Sequence, residues 1–168
     1  NQLIWLIPLL PFAGFLINGL GFQRIPKNLV GLIGSGTVLL SFCLVLILFF
    51  QNLSGQISQS TTYTLAPWLQ IGNYSVSFSF LVDRLSILFI LVVTGVGFLI
   101  HVYSIGYMKH DEGYGKYFAY LNLFMFSMLV LVLGASYVMM FIGWEGVGLC
   151  SYLLIGFWFK KPEYTVAA

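Results

Sequence analysis

The feature that most constrains the fold of this chain is a series of long apolar runs, of which the clearest covers residues 29–50 without a charged side chain. About 20 apolar residues in an α-helix cross the roughly 30 Å hydrocarbon core of a bilayer. Within that core every backbone polar group needs a partner inside the protein, so only helices and closed barrels can span it. We therefore predict an all-α integral membrane protein with about five transmembrane helices. The predicted spans cover residues 3–22, 29–50, 83–103, 117–133 and 137–159.

The composition agrees with a membrane location. Hydrophobic residues make up 60% of the chain and charged residues 7%, whereas charged residues are about a quarter of a typical soluble domain. The net charge of +2 is too small to indicate a nucleic-acid partner, and the lipid bilayer is the expected surrounding. Cys43 and Cys150 lie in separate predicted spans without the spacing of a metal site, so we expect neither a disulfide nor a bound metal.

Residues 51–80 are too polar to cross a membrane, and part of this segment has the pattern of a β-hairpin. Polar and apolar residues alternate strictly from Ser75 to Phe80, and the dipeptide Gly72-Asn73 separates them from residues 68–71. Two short strands joined by such a dipeptide are typical of a hairpin. Two interpretations stay open: the hairpin has an edge that pairs with another protein, or it is a lid over the chain's own helix ends.

The basic residues predict how the chain is oriented in the membrane. With five spans, six of the seven lysines and arginines fall on one side: Arg24, Lys27, Lys109, Lys116, Lys160 and Lys161. Only Arg84 falls on the other side. Because lysine and arginine accumulate in cytoplasmic loops, we predict that the N-terminus and the hairpin are outside and the C-terminal end is inside.

The segment of residues 141–161, FIGWEGVGLCSYLLIGFWFKK, places a carboxylate, Glu145, inside the fifth apolar run. In a helix over residues 137–159 it lies within roughly 5 Å of the bilayer midplane. A charged group there costs about 2.5 to 3.5 kcal/mol on insertion scales, so it should face protein or water and is functional by default. The alternative is a permanently protonated glutamate that only holds helices together. Small residues around it allow close helix approach: Gly143, Gly146, Gly148, Cys150 and Ser151.

Three further residues are secondary candidates. Asp83 and Arg84 open the third predicted span, where helix capping and ion pairing are the favoured explanation. His101 lies near the opposite end of that span, where an interfacial hydrogen bond is favoured over proton transfer. Since no lysine or arginine of the chain lies at the depth of Glu145, a cationic partner for Glu145 would come from elsewhere.

No pattern in the sequence predicts a cofactor. Its glycines do not lie between a strand and a helix, as a dinucleotide-binding loop requires. The cysteines do not form an iron–sulfur ligand set, and the histidines are not placed as a facing pair for haem. We therefore expect no redox centre in this chain. From the residues alone, it is a proton or ion translocation element of a larger assembly.

Two stretches of the sequence resemble a known family: YSIGYMKHDEGYGKYFAYLNLFMFSML at residues 103–129 and WEGVGLCSYLLIGFWF at residues 144–159. They are similar to the antiporter-like, proton-pumping subunit L, or subunit 5, of NADH:quinone oxidoreductase, which is respiratory complex I. The proline-containing first span, the hairpin and the VDRLS segment extend the resemblance over most of the chain. Because the family's chains are several hundred residues long, the resemblance implies an N-terminal fragment.

The resemblance also implies a role for Glu145. In that family the glutamate of the WE motif is a proton-channel residue on the fifth helix, paired with a lysine on the seventh. The resemblance implies a subunit of an enzyme that couples quinone reduction in other subunits to proton pumping. Its partners would be other membrane subunits of complex I. The bacterial inner membrane is the expected location, with the mitochondrial inner membrane and the thylakoid membrane as alternatives.

Two other functions stay open. The large subunit of multisubunit sodium/proton antiporters shares the WE motif, and one carboxylate does not identify the transported ion. A scaffold, in which Glu145 is structural and the hairpin mainly holds neighbouring subunits, is the third hypothesis. Sodium dependence would separate the first two, and loss of assembly in a Glu145→Gln variant would favour the third.

Overall fold

A computed structural model of the chain describes residues 3–21, 24–55, 60–72 and 74–158. These residues form five long helices, with a β-hairpin between the second and the third. The elements are α1 (Leu3–Leu20), α2 (Lys27–Leu53), β1 (Thr61–Ile71), β2 (Tyr74–Val82), α3 (Arg84–Tyr107), α4 (Tyr114–Leu133) and α5 (Tyr137–Ile155). All five helices are long and apolar enough to cross a membrane. The predicted fold class, an all-α integral membrane protein with a hairpin, is confirmed.

The helix ends differ from the predicted spans by a few residues. Helix α2 is longer at both ends than the predicted 29–50, α3 continues past residue 103 to Tyr107, and α4 begins before residue 117. Polar and aromatic residues continue a helix past its apolar run because the backbone hydrogen bonds are internal to it. Helix α1 ends at Leu20 and α5 at Ile155, whereas their predicted ends, residues 22 and 159, lie outside the described residues.

Helix α4 is the centre of the bundle, since it contacts each of the other four helices. Helix α1 also packs on α2, and α2 on α3. Close packing of α2 on α4 depends on two glycines: Gly31 lies against Tyr114, and Gly34 lies against Phe118. Among the described residues, helix α5 contacts only α4 and β2. The architecture is therefore a four-helix unit, α1–α4, with α5 attached to one side of α4.

A side chain from α2 supports the proline-containing first helix. Pro11 has no N–H to donate to the carbonyl oxygen of Ile7, which a residue four positions later normally binds. The hydroxyl of Ser41 donates to this oxygen instead, at 2.7 Å. A hydroxyl from a neighbouring helix thus compensates for the lost hydrogen bond, as membrane helices with internal proline require.

The hairpin is longer than predicted and is attached to the helices. Its antiparallel pairing extends from Thr61–Val82 to Ile71–Tyr74, with two register shifts in β1. Gly72 has a positive φ of 58° at the turn, and Asn73, the other predicted turn residue, lies outside the described residues. These pairs confirm the predicted hairpin.

The hairpin packs on one end of the helix bundle. Phe80 stacks on Trp5 of α1 with ring centroids 4.2 Å apart and forms an isolated bridge with Gly134. The N–H of Ala135, between α4 and α5, donates to the carbonyl oxygen of Ser79 at 3.0 Å. These contacts support the lid interpretation, while pairing of the hairpin edge with another protein stays a prediction.

The loops that carry basic residues lie at the end of the bundle opposite the hairpin. The ammonium of Lys27 donates to the carbonyl oxygens of Lys109 and Asp111, at 3.2 and 2.8 Å. The indole N–H of Trp158, just after α5, donates to Asp111 Oδ2 at 2.8 Å. The loops that precede α2 and α4 thus meet at one end, as the predicted topology requires. The two lysines at positions 160 and 161 lie outside the described residues.

Asp83 caps α3, as predicted. Its Oδ1 accepts a hydrogen bond from the Ser86 N–H at 2.7 Å, and Ser86 Oγ accepts one from the Asp83 N–H at 2.9 Å. This reciprocal capping box satisfies two N–H groups at the helix start.

Replacing Asp83 by alanine is expected to destabilise the first turn of α3 by about 1 kcal/mol, the usual contribution of an N-cap. Faster hydrogen–deuterium exchange of the Ser86 amide in the intact parent chain would measure this. Asp83→Asn retains the accepting oxygen and should exchange at nearly the wild-type rate. Equal acceleration in both variants would instead make the negative charge the important property.

Candidate functional site

Glu145 lies in the middle of α5. The helix starts after Ser136, whose hydroxyl accepts a hydrogen bond from the Met139 N–H at 3.3 Å. Glu145 is eight residues from Tyr137 and ten from Ile155, or about 12 and 15 Å along the axis. The carboxylate therefore stands near the centre of a helix long enough to cross a membrane.

The sequence predicts that Glu145 faces protein or water, and among the described residues its side chain is exposed. Within these residues α5 contacts α4 and β2 alone, and Glu145 is on the side of α5 that they leave uncovered. Trp144, Leu149 and Tyr152 are exposed on the same helix. Apolar side chains therefore surround an ionisable one on a surface at membrane depth.

The opposite face of α5 is built of small residues that contact α4. A Cβ at Gly143 would lie less than 3 Å from the backbone of Leu131, and a Cβ at Gly146 would meet Ser127. Cys150 is fully buried on this face. The prediction of close approach is confirmed for these three residues, which lie on the opposite face of the helix from Glu145.

The other two small residues make no such contact with α4. The position of a Cβ at Gly148 has nothing within 4 Å. The hydroxyl of Ser151 donates to the carbonyl oxygen of Val147 in its own helix, at 2.9 Å. The packing of α5 thus turns Glu145 away from the four-helix unit.

The secondary candidate residues lie away from Glu145 in the described structure. Asp83 and Arg84 are at the hairpin end of α3, where Asp83 is half-buried and Arg84 exposed. In the described part of the chain α3 makes no contact with α5, because α4 lies between them. The lysines and arginines of these ranges are all in loops or first helical turns. None of them is at the depth of Glu145.

His101 lies further from the end of α3 than predicted, and its side chain is buried. Helix α3 extends to Tyr107, so His101 is six residues, or about 9 Å, inside the helix end. Its side chain is 1% exposed. Nδ1 is 2.7 Å from the carbonyl oxygen of Gly97, and the ring lies edge-on to Phe118 of α4 with centroids 6.1 Å apart. His101 is a core residue of the four-helix unit.

A buried polar cluster between α1, α2 and α4 was not predicted from the sequence. Asn18 donates through Nδ2 to the carbonyl oxygen of Val30 at 3.3 Å. Thr37 Oγ1 and Asn122 Oδ1 are 3.0 Å apart, and Asn122 Nδ2 donates to the Phe118 carbonyl oxygen at 2.9 Å. Asparagine inside an apolar run was the available signal, since polar side chains in a membrane need partners.

In the ranges that the structure describes, no three His, Cys, Asp or Glu side chains are grouped closely enough to hold a metal ion. That the chain carries no cofactor stays a prediction.

Two family models match the chain. The model described as "NADH-Ubiquinone oxidoreductase (complex I), chain 5 N-terminus" matches residues 68–118. The model described as "NADH:quinone oxidoreductase/Mrp antiporter, TM" matches residues 134–168. Together they cover just over half of the chain, and the matched ranges include both His101 and Glu145.

Related proteins extend the match to nearly the whole chain. NADH-quinone oxidoreductase subunit L of Escherichia coli is 42% identical over 163 residues, which is 95% of this chain and 26% of that protein. Chloroplastic NAD(P)H-quinone oxidoreductase subunit 5 of Zygnema circumcarinatum is 39% identical over 176 residues, 99% of this chain and 24% of that protein. The chain thus spans about a quarter of the length of these relatives.

A solved structure shows the same fold. A chain in the structure of the Mrp complex from Dietzia sp. superposes with a TM-score of 0.71 at 27% identity, over 90% of this chain and 16% of that chain. The helices, the hairpin and the sequence therefore agree on one family. The chain belongs to the NADH:quinone oxidoreductase/Mrp antiporter family of membrane subunits, together with subunit L.

Proposed function

We propose that this chain is part of a proton-translocating membrane subunit of an NADH:quinone oxidoreductase, and that Glu145 binds and releases the transported proton. The observation that carries the proposal is the position of Glu145. It lies in the middle of a membrane-length helix, on a face that the described residues leave uncovered. An ionisable side chain at that depth is a candidate for proton transfer.

In the proposed mechanism, the surroundings of the Glu145 carboxylate control whether it binds a proton. An apolar surrounding favours the protonated, neutral form, and a nearby cation favours the ionised form. Because Glu145 faces away from α4, a covering element outside the described residues would supply that cation. Approach of the cation would release the proton from Glu145, and its withdrawal would allow another proton to bind. Electron transfer from NADH to quinone would take place in other subunits.

The proposal includes partners and orientation. Relatives of the chain are subunits of multisubunit assemblies, and we assign the uncovered face of α5 to contacts within such an assembly. The meeting of the basic loops at one end of the bundle supports an orientation with that end inside and the hairpin outside. The bacterial inner membrane is the proposed location, with the mitochondrial inner and thylakoid membranes as alternatives.

A sodium/proton antiporter subunit is the second candidate function. The likeness to a chain of an Mrp complex and the double name of one family model favour it. The geometry of α5 is compatible with both functions, because a carboxylate at that depth can bind either a proton or a sodium ion.

Sodium dependence separates the two functions. In sealed vesicles with the intact parent subunit in its complex, NADH oxidation is expected to drive proton uptake at the same rate when potassium replaces all sodium. A pH-sensitive dye inside the vesicles measures this. Proton movement that requires a sodium gradient and ignores NADH would assign the chain to an antiporter.

A further inference from the structure

Four buried polar atoms of the four-helix unit have no hydrogen-bond partner among the described residues: Asn52 Oδ1, in the last turn of α2, and Asn18 Oδ1, Ser35 Oγ and His101 Nε2. The last three belong to side chains that are 0%, 6% and 1% exposed, respectively. They come from three different helices, α1, α2 and α3. Buried polar atoms are nearly always paired, either with protein or with ordered water, because an unpaired one destabilises the fold.

The three atoms lie in one layer of the bundle. Across the antiparallel pair α2 and α3, Gly31 lies against Ile105 and Phe42 against Gly95, which places Ser35 at the level of His101. Next to Ser35, the position of a Cβ at Gly34 is 3.3 Å from Asn18 Nδ2 and 3.0 Å from Asn122 Nδ2.

The ring of Phe118 connects the two sides of this layer. It lies against Gly34 and edge-on to His101. We call this level of the bundle, which contains Asn18, Ser35 and His101, the polar layer.

The hydrogen bond of His101 fixes its tautomer. The Gly97 carbonyl oxygen can only accept, so Nδ1, which is 2.7 Å away, carries a hydrogen. In the neutral ring Nε2 is then an acceptor with a free lone pair. The one basic atom of this side chain is therefore Nε2, which is buried and unpartnered among the described residues, and protonation of the ring takes place there.

We infer that this layer binds internal water and that His101 Nε2 exchanges a proton with it, as a second protonatable site in addition to Glu145. Water suits the donor set, because it can donate to Asn18 Oδ1 and His101 Nε2 and accept from Ser35 Oγ. In the transfer, an O–H bond of a hydronium breaks and the Nε2–H bond forms, which leaves water and an imidazolium. The reverse step returns the proton to water.

The groups around His101 are consistent with this role. Helix α2 has no titratable residue between Lys27 and Cys43, and Ser35 is its residue at the level of His101. From α4 the titratable neighbour is Tyr114, whose ring packs on Phe118 with centroids 4.8 Å apart.

The other titratable residues of α4 are Lys116, Tyr117 and Tyr120. The two tyrosines pack on Phe157, and Asp83 is at the opposite end of α3 from His101. Tyr114 begins α4 and its hydroxyl lies at Gly31, between the layer and the basic end of the bundle.

Replacing His101 by asparagine in the intact parent chain tests the inference. Asparagine can keep the bond to the Gly97 carbonyl, as Asn122 does with the carbonyl four residues before it, but it has no protonatable atom. We expect assembly and NADH oxidation with a soluble acceptor to be retained and proton uptake to fall roughly tenfold or more. Thr94→Val is the control, because the Thr94 hydroxyl donates within its own helix to Ile90 at 2.7 Å.

The second measurement is a density map of the assembled complex that resolves water. Water within about 3 Å of His101 Nε2 and Ser35 Oγ, together with the loss of pumping, supports the inference. A dry layer, or His101→Asn pumping at the wild-type rate, overturns it. If that variant does not assemble, Ser35→Ala decides, since it removes one water ligand with a minimal change of shape; slower pumping supports the inference and unchanged pumping overturns it.

Proton uptake at His101 rests on the proposed function, but the two fail separately. Loss of pumping in Glu145→Gln with normal pumping in His101→Asn overturns only the role of His101. Normal pumping in both variants overturns the proposed function as well. The water in the layer is tested by the map, independently of pumping.

Discussion

Replacing Glu145 by glutamine in the intact parent chain is expected to remove most proton pumping while the complex still assembles. Glutamine has nearly the shape of glutamate but cannot bind and release a proton. Because Glu145 is exposed on α5, the substitution removes no packing contact within the described residues. We expect proton uptake per NADH oxidised to fall roughly tenfold or more. A pH-sensitive dye in sealed vesicles measures uptake, and native gels verify assembly.

Two controls accompany this variant. Glu145→Asp keeps a carboxylate one methylene closer to the helix and should retain part of the pumping. Ser151→Ala, nearly two turns along α5, should pump normally because the Ser151 hydroxyl bonds only within its own helix in the described structure. Unchanged pumping in Glu145→Gln would make Glu145 structural. Failure of the complex to assemble would support the scaffold hypothesis.

Replacing Gly143 by alanine is expected to weaken the packing of α5 on α4. The added Cβ would lie within 3 Å of the backbone N and Cα of Leu131, and backbone atoms cannot move aside as a flexible side chain can. The helices must separate, at a cost of about 1 to 3 kcal/mol for overpacking, although alanine raises helix propensity by up to about 1 kcal/mol. The temperature at which the assembled complex dissociates on native gels should fall.

Gly36→Ala is the matched control for Gly143→Ala. Gly36 is in the middle of α2, and a Cβ at this position has nothing within 4 Å. Since only the gain in helix propensity remains, the dissociation temperature should be unchanged or slightly higher. Equal shifts in the two variants would mean that the contact with Leu131 does not hold α5 in place.

The number, order and type of the elements could be predicted because they follow from local properties of the sequence. Each apolar run is long enough to require a helix, and the alternation at residues 75–80 requires a strand. The ends of the helices were predicted less exactly. Aromatic and polar residues at the membrane surface, such as the stretch that extends α3 to Tyr107, favour neither helix nor loop by hydropathy alone.

Which side of each helix is covered could not be predicted, because this depends on packing between helices. Apolar residues occur on every side of α5. The sequence therefore does not indicate that the side with Gly143 packs on α4 or that the side with Glu145 is exposed. The burial of His101 could not be predicted for a related reason. The predicted third span ends at residue 103, four residues before the observed end of α3. His101 was therefore interpreted as an interfacial residue, whereas its side chain is buried in the bundle.

The hydrogen bonds of polar groups inside the spans could be predicted in part. Pro11 creates a need for a hydrogen bond at the Ile7 carbonyl, and the sequence predicts that a neighbour supplies it. That Ser41 is the donor follows only from the packing of α2 on α1. Similarly, Asn18 and Asn122 each require a partner by chemistry, but their convergence around Gly34 depends on the three-dimensional arrangement.

The hydrogen bond from Ala135 to Ser79 fixes the position of Glu145 relative to the hairpin. Ala135 lies two residues before α5, and its N–H is bonded to the hairpin. Glu145 is eight residues into the helix, about 12 Å along its axis from Tyr137. An axial slip of α5 by one residue would move this donor away from the Ser79 carbonyl and break the bond. A backbone contact at the hairpin end of the bundle thus fixes the height at which a partner from another element has to meet the carboxylate.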